Sequence, residues 1–180
     1  MTMTMSELDY VRSTVRQVPD FPKPGILFLD ITTATKDAKS MNLMIDFLVE
    51  KFKNEKIDYV AGIESRGFIF GASLACKLGA GFIPVRKPNK LPAETVSESY
   101  DLEYGSDSIE IHKDAVEEGK KVLIIDDLLA TGGTAKAACN LFKKVGADVA
   151  SVAFIIELCD LGGREKIEAT GVEVVSMLKY

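Results

Sequence analysis

The sequence predicts an α/β protein built on a mostly parallel, twisted sheet with helices on both faces. Short apolar runs recur at 58–63, 81–86, 120–125, 148–156 and 172–178. Helix-forming segments separate several of them, and a strand–helix alternation of this kind favours parallel pairing. The runs are close to continuously apolar, as strands buried on both sides are.

Taken in order, Leu8, Val11, Val15 and Val18 follow helical spacing, with Pro19 as the stop. DFPKPGILFLD (20–30) is then a proline-punctuated approach to a short apolar run. Met41, Met44, Ile45, Leu48 and Phe52 mark one face of an amphipathic helix. DYVAGI (58–63) is a strand, ESRG (64–67) a turn, and FIFGASLACKLG (68–79) a helix closed by Gly79. GFIPVR (81–86) and KKVLII (120–125) are the next strands of the alternation, and a helix follows at roughly 134–144. DVASVAFII (148–156) and VEVVSML (172–178) complete it. From Lys87 to Ser108 there are two prolines, many polar residues and no helical stripe. Such a segment reads as a lid or binding loop, part of which can pair as a hairpin with IEIH (109–112).

A chain of 180 residues is most simply one domain. The net charge of −5 argues against general binding to nucleic acid or a membrane surface, both of which favour basic proteins. No apolar run approaches the roughly 20 residues of a membrane helix, and the N-terminus carries no secretory pattern. Cys76, Cys139 and Cys159 are odd in number and widely spaced. They read as reduced, mostly buried thiols of a cytoplasmic protein.

The chemistry concentrates in VLIIDDLLATGGT (122–134). Asp126 and Asp127 leave an apolar strand, and Ala130, Thr131, Gly132, Gly133 and Thr134 open the next helix. Backbone N–H groups and the helix dipole at such a start hold an anion, the glycines allow close approach, and the threonines add donors. No lysine stands where a triphosphate-binding P-loop needs one, so a monophosphate fits better. Carboxylates repel phosphate but accept hydrogen bonds from hydroxyls, and they can face a hydrated Mg²⁺. A ligand with a phosphate at one end and a vicinal diol nearby, such as ribose 5-phosphate, satisfies both halves. One acid would suffice for a helix cap. A phospho-receiver domain carries its acid pair near the N-terminus, whereas this pair lies two-thirds along the chain.

This stretch resembles the phosphoribosyl pyrophosphate (PRPP) signature of the type I phosphoribosyltransferases, in the form found in those that act on adenine. DFPKPGILFLDIT (20–32), GIESRGFIFG (62–71), PVRKPNKLP (84–92), YDLEYG (100–105) and LGGREKI (161–167) match in the same order, over nearly the whole chain. The resemblance implies one domain over 1–180, with 1–34 as a small N-terminal hood and 87–108 as a flexible catalytic loop. It implies adenine and PRPP as substrates, Mg²⁺ as cofactor, AMP and pyrophosphate as products, and a homodimer. Asp126, Asp127 and Ala130–Thr134 would then hold ribose and its phosphate. Ser65, Arg66, Arg86, Lys87 and Lys90 would serve the pyrophosphate, with a cis peptide between Glu64 and Ser65 and with Arg86 reaching a neighbouring subunit. Leu27, Phe28 and Leu29 would bind adenine, Phe28 by stacking, and Glu103 would handle the adenine proton.

Two positions depart from the family pattern. Leu29 stands where many relatives have Arg, which leaves only a backbone contact there. Asn89 stands where Gly is common, and Asn tolerates the left-handed conformation. His112, the only histidine, reads as structural. A related transferase for another purine base, or a PRPP-sensing regulator without catalysis, are the alternatives. The GILFLDIT segment favours adenine, and the acidic charge disfavours a nucleic-acid-binding regulator.

Overall fold

The computed structural model of the protein describes residues 3–101 and 105–180, which form two compact units, Met1–Lys51 and Phe52–Tyr180. The first unit contains α1 (Met5–Thr14), the antiparallel pair β1 (Arg16–Pro19) and β2 (Leu27–Asp30), α2 (Thr32–Lys36), and most of α3 (Ala38–Phe52). Thr4 and Glu7 form a reciprocal capping box at the start of α1, satisfying N–H groups that a helix start leaves free. On α3, Met44, Ile45, Leu48 and Phe52 are buried as their spacing requires.

The first helix is shorter than its apolar spacing suggests. It stops at Thr14, and Val15 to Pro19 continues as extended chain, with Val18 opposite Phe28. The hydroxyls of Ser13 and Thr14 bond back to the carbonyls of Tyr10 and Val11, both at 2.7 Å. Thr33 then clasps the exit, donating to the Thr14 carbonyl at 2.6 Å and accepting from the Arg16 N–H at 3.1 Å. Local side-chain bonds and β-branched valines thus outcompete the helix.

The second unit holds a five-stranded parallel sheet in the order β4-β3-β7-β8-β9. Its strands are β3 (Tyr59–Ile63), β4 (Gly81–Val85), β7 (Lys121–Leu129), β8 (Asp148–Glu157) and β9 (Glu173–Lys179). Between them run α4 (Gly67–Leu78), α5 (Gly133–Lys144) and the short α6 (Gly163–Glu168). On α4 the buried residues Gly67, Phe70, Gly71, Leu74 and Ala75 form one stripe, and Gly79 ends the helix at φ 68°. Val122–Ile125 and Val152–Ile156 are buried, and Val122, Ile124, Val152 and Phe154 pack in one cluster with the inner face of α5.

Strand order locates the ligand crevice. The chain steps outward from β3 to β4, and then returns on the opposite flank of β3 as β7. At such a reversal the connections leave in opposite directions and open a cleft beyond the strand ends. β7 also runs further than its apolar run, to Leu129 rather than Ile125. Pairing with β3 ends at Gly62–Ile125, whereas pairing with β8 continues through Leu129–Glu157. Asp126 and Asp127 therefore belong to a strand bonded on one side and open on the other.

The segment 87–108 is more ordered in pattern than a loop. β5 (Thr95–Asp101) pairs antiparallel with β6 (Ser106–His112), from Thr95–His112 to Asp101–Ser106. Val96, Ile109 and Ile111 pack on the main core, an anchor that polar β5 does not advertise. Glu103 lies outside the described residues. Of the three thiols only Cys139 is buried, and burial pushes its pKa up to about 11; Cys76 and Cys159 are exposed, contrary to expectation. Both sit at element edges that composition cannot reveal.

Phe142 has no exposed surface and belongs to the α5–sheet core. Phe142→Ala is expected to lower unfolding stability by about 3–5 kcal/mol. Urea denaturation at an unchanged slope checks this; a loss under 1 kcal/mol would mean that the site collapses around the gap.

Candidate functional site

The turn 64–67 leaves β3 at the level where Asp126 and Asp127 leave the β3–β7 ladder. The Glu64–Ser65 peptide is cis, as the family resemblance implied. Arg66 follows it and sends Nε to Asp127 Oδ2 at 2.5 Å. Asp127 is 4% exposed, while the Arg66 side chain is about half in solvent. This charge-assisted bond compensates a carboxylate that burial would otherwise penalise.

Among the described residues Asp126 forms no such ion pair. Its Oδ1 accepts from the Asp127 N–H at 2.9 Å. Gly67 presses on it: a Cβ there would sit 2.7 Å from the Ile125 carbonyl oxygen and 3.1 Å from Asp126 Oδ1. Desolvation first, and the adjacent Asp127 charge second, push the Asp126 pKa well above the ordinary carboxylate range. Gly67 was not singled out by sequence reasoning, although its place in ESRG, next to the strand end, was visible.

Beyond the acids, Asp126, the backbone from Leu128 to Ala135, and Phe154 line a cavity of about 100 Å³. At about 30 Å³ per water in the liquid, it has room for roughly three waters or one tetrahedral anion. Gly132 takes φ 73°, which turns the chain into α5. Thr131 is exposed and Thr134 half-buried. No side chain caps α5, so its first N–H groups are not met by a capping residue. The structure thus brings Asp126, Ala130, Thr131, Gly132, Gly133 and Thr134 together around one small polar cavity.

The remaining cations sit in pairs. Arg86 Nε meets Glu64 Oε2 at 2.8 Å, and the Lys87 N–H reaches the same oxygen at 2.9 Å. Those bonds, from Arg86 first and Lys87 second, hold Glu64 below its usual pKa. Lys87 Nζ bonds Asp107 and, at 2.9 Å, Tyr100 on the hairpin. Lys90 is exposed. Asn89 takes φ 63°, the conformation expected of an Asn in place of Gly, and its N–H meets Glu110 Oε2 at 3.2 Å. Glu64, Tyr100 and Asp107 are the partners sequence reasoning missed; Glu64 alone carried a signal, as the first residue of the ESRG turn.

In the first unit, Phe28 is half-buried and meets Phe21 edge-on, with ring centroids 5.2 Å apart. Leu27 is half-exposed, whereas Leu29 is 6% exposed and so offers a ligand backbone rather than side chain. Cross-strand Arg16 and the two groups of Thr32 hold Asp30 at the end of β2, and Thr32 contributes most to lowering its pKa to about 2.

Among the described residues no three His, Cys, Asp or Glu side chains converge as a metal-binding cluster. The donor set at the crevice is two acids, Asp126 and Asp127. Mg²⁺ commonly takes one or two carboxylates together with water and substrate phosphates, so this set fits a hydrated ion carried by a diphosphate.

The raised Asp126 pKa makes its ionised form a liability to folding. The unfolded carboxyl ionises from about pH 4 upward, while the folded one still holds its proton, so stability falls as pH rises through the folded pKa. Asp126→Asn keeps the acceptor for the Asp127 N–H and removes the charge. At neutral pH its Tm should rise above that of the native chain. The gain should vanish below about pH 4; calorimetry across pH checks this, and a gain independent of pH would contradict it.

Comparison with known proteins agrees with this geometry. A family model described as the phosphoribosyl transferase domain matches residues 31–177. An adenine phosphoribosyltransferase of Escherichia coli O157:H7 (strain EC4115 / EHEC) is 52% identical over 180 residues, covering 100% of this chain and 98% of that one. The crystal structure of adenine phosphoribosyltransferase from Thermoanaerobacter pseudethanolicus superposes with a TM-score of 0.92 at 52% identity, covering 96% of this chain and 99% of that one. The Saccharomyces cerevisiae enzyme, complexed with an imino-altritol bisphosphate and adenine, gives 0.90 at 41% identity, over 97% of this chain and all of that one. With an acid pair beside a phosphate-sized cavity at the sheet reversal, this chain belongs to the adenine phosphoribosyltransferases of the phosphoribosyltransferase family.

Proposed function

We propose that this chain transfers the 5-phosphoribosyl group of PRPP to N9 of adenine, giving AMP and pyrophosphate in purine salvage. The supporting observation is the acid pair Asp126–Asp127 set directly before the small-residue cavity, in a chain matched end to end by adenine phosphoribosyltransferases. Ala130 to Thr134 receive the 5-phosphate through backbone N–H groups and hydroxyls. Asp126 and Asp127 accept from the ribose hydroxyls.

In the reaction the C1–oxygen bond to pyrophosphate breaks, the electron pair leaves with the diphosphate, and positive charge grows on C1 and the ring oxygen. Adenine N9 then bonds C1 and gives up its proton to Glu103. Ser65, Arg66, Arg86, Lys87 and Lys90 receive the diphosphate. Arg66 reaches it by leaving Asp127, which becomes available to the ribose in the same movement. Asp126 and Asp127 would hold a hydrated Mg²⁺ through water, and the ion would supply charge neutralisation for the diphosphate. Phe28 stacks on the purine, and Leu27 and Leu29 read its edge through their backbones.

The chain acts as one domain over 1–180, with 1–34 as hood and 87–108 as a lid that excludes water. A homodimer is supported by exposed Ile69 and Phe82 on α4 and edge strand β4, with Phe68 packed edge-on to Phe82 at 5.8 Å. Arg86 adjoins this cluster, 5.7 Å from the Phe68 ring. Sedimentation at the monomer mass would refute the dimer. Exposed thiols suit the reducing cytoplasm. No helix among the described residues is long and apolar enough to cross a membrane, and the charge of −5 disfavours nucleic acid.

Assays offering adenine, hypoxanthine and guanine with PRPP test the assignment. Adenine should lead in kcat/KM by about 10²-fold or more, because a site built on specific hydrogen bonds rejects the wrong edge. Equal use of hypoxanthine would transfer the assignment to another base. Glu103→Gln should lower kcat by about 10²–10⁴-fold with little change in KM; native turnover would remove Glu103 from proton transfer.

A further inference from the structure

The geometry points to the Gly162–Arg164 turn as a brace that sets the shape of the phosphate loop, with Arg164 as a positioning residue for PRPP. This rests on reading Ala130–Thr134 as the phosphate site. The contact is backbone against backbone. A Cβ on Gly163 would lie 2.2 Å from the Ala130 carbonyl oxygen and 3.1 Å from the Gly132 nitrogen. A Cβ on Gly132 would lie 2.6 Å from the Gly163 carbonyl oxygen. The two turns therefore touch backbone to backbone, with the Leu129 side chain packed against the same spot (a Cβ on Gly163 would lie 2.8 Å from Leu129 Cδ1), so a shift of one presses on the other.

What holds the brace is Arg164. Its Nε and Nη2 grip both oxygens of Glu157 at 2.8 and 2.6 Å. Nη2 also meets Ser176 Oγ at 3.0 Å, and Nη1 meets the Val174 carbonyl at 2.7 Å and Glu168 at 3.0 Å. Ser176 closes the group by bonding Glu157. Glu157 is 3% exposed and stands opposite Leu129, the last residue of β7 before the loop. The grip thus ties the strand that feeds the loop, through β8 and β9, to the turn that props it. A buried ion pair adds little stability over an apolar replacement. What this one supplies is a fixed position, from a planar fork that lysine cannot reproduce.

The test compares Gly163→Ala, Arg164→Lys and a control, Ile167→Val, which trims a buried residue of the same helix without touching the loop. Gly163→Ala should raise KM for PRPP about tenfold or more and weaken ribose 5-phosphate binding by calorimetry equally, with kcat at saturation and KM for adenine nearly native. Arg164→Lys should shift the same quantities by a smaller factor, and it serves if Gly163→Ala does not fold. Ile167→Val should leave them unchanged. Native ribose 5-phosphate binding in both brace variants, or an equal loss in Ile167→Val, overturns the brace. Thr131→Val and Thr134→Val separate the premise. If they weaken ribose 5-phosphate and the brace variants do not, the brace alone fails. If they bind it natively, the phosphate-loop reading fails and takes the brace with it.

Discussion

Two like charges stand on consecutive residues at the inner end of a central strand, and much of the surrounding structure answers that constraint. Asp127 is tolerable because Arg66 bonds it at 2.5 Å. Asp126 lacks an equivalent partner, and burial together with its neighbour drives its proton affinity up. A fold selected for stability alone would place an amide or an apolar residue there. The strain is localised because β8 continues to pair with β7 past the acids, holding their backbone while the β3 flank stays open. Removing that one-sided ladder would let the carboxylates turn to water, and the placement of the acid pair would be lost with them.

The cations show the complementary design. Arg66, Arg86 and Lys87 each bond a carboxylate, to Asp127, Glu64 and Asp107 respectively. In an acidic chain, pairing of this kind keeps the three side chains ordered at little net cost in stability. The antiparallel bridge between Arg86 and Glu110, bonded both ways at 2.9 and 2.7 Å, fastens β6 to the end of β4. Position and charge are thus set by the same few residues.

Much of this was legible in the sequence because the sheet strands are long apolar runs and α4 and α5 have clear stripes. The turn from Ala130 to Thr134 was legible as a strand-to-helix connection because small residues and threonines follow the apolar strand directly. What was not legible depends on contacts distant in sequence. The first helix ends early because Thr33 reaches back to Thr14 and Arg16. β7 outruns its apolar residues because β8 is there to bond it. Asp107 carried no signal in the sequence, and its part shows only once Lys87 is placed beside it. The polar alternation of β5 hid a strand whose burial comes from Val96, Tyr100 and their β6 partners.

Pro84 gives the sheet a property separate from catalysis. It lies within β4, the outermost strand, paired opposite Gly62 of β3. A proline has no N–H to offer, so the outer row of donors is broken at its middle. At the opposite border, β9 ends in exposed Glu173 and Lys179. Neither border is a good template for adding a strand. Extension of the sheet by a further strand is thereby disfavoured at both borders.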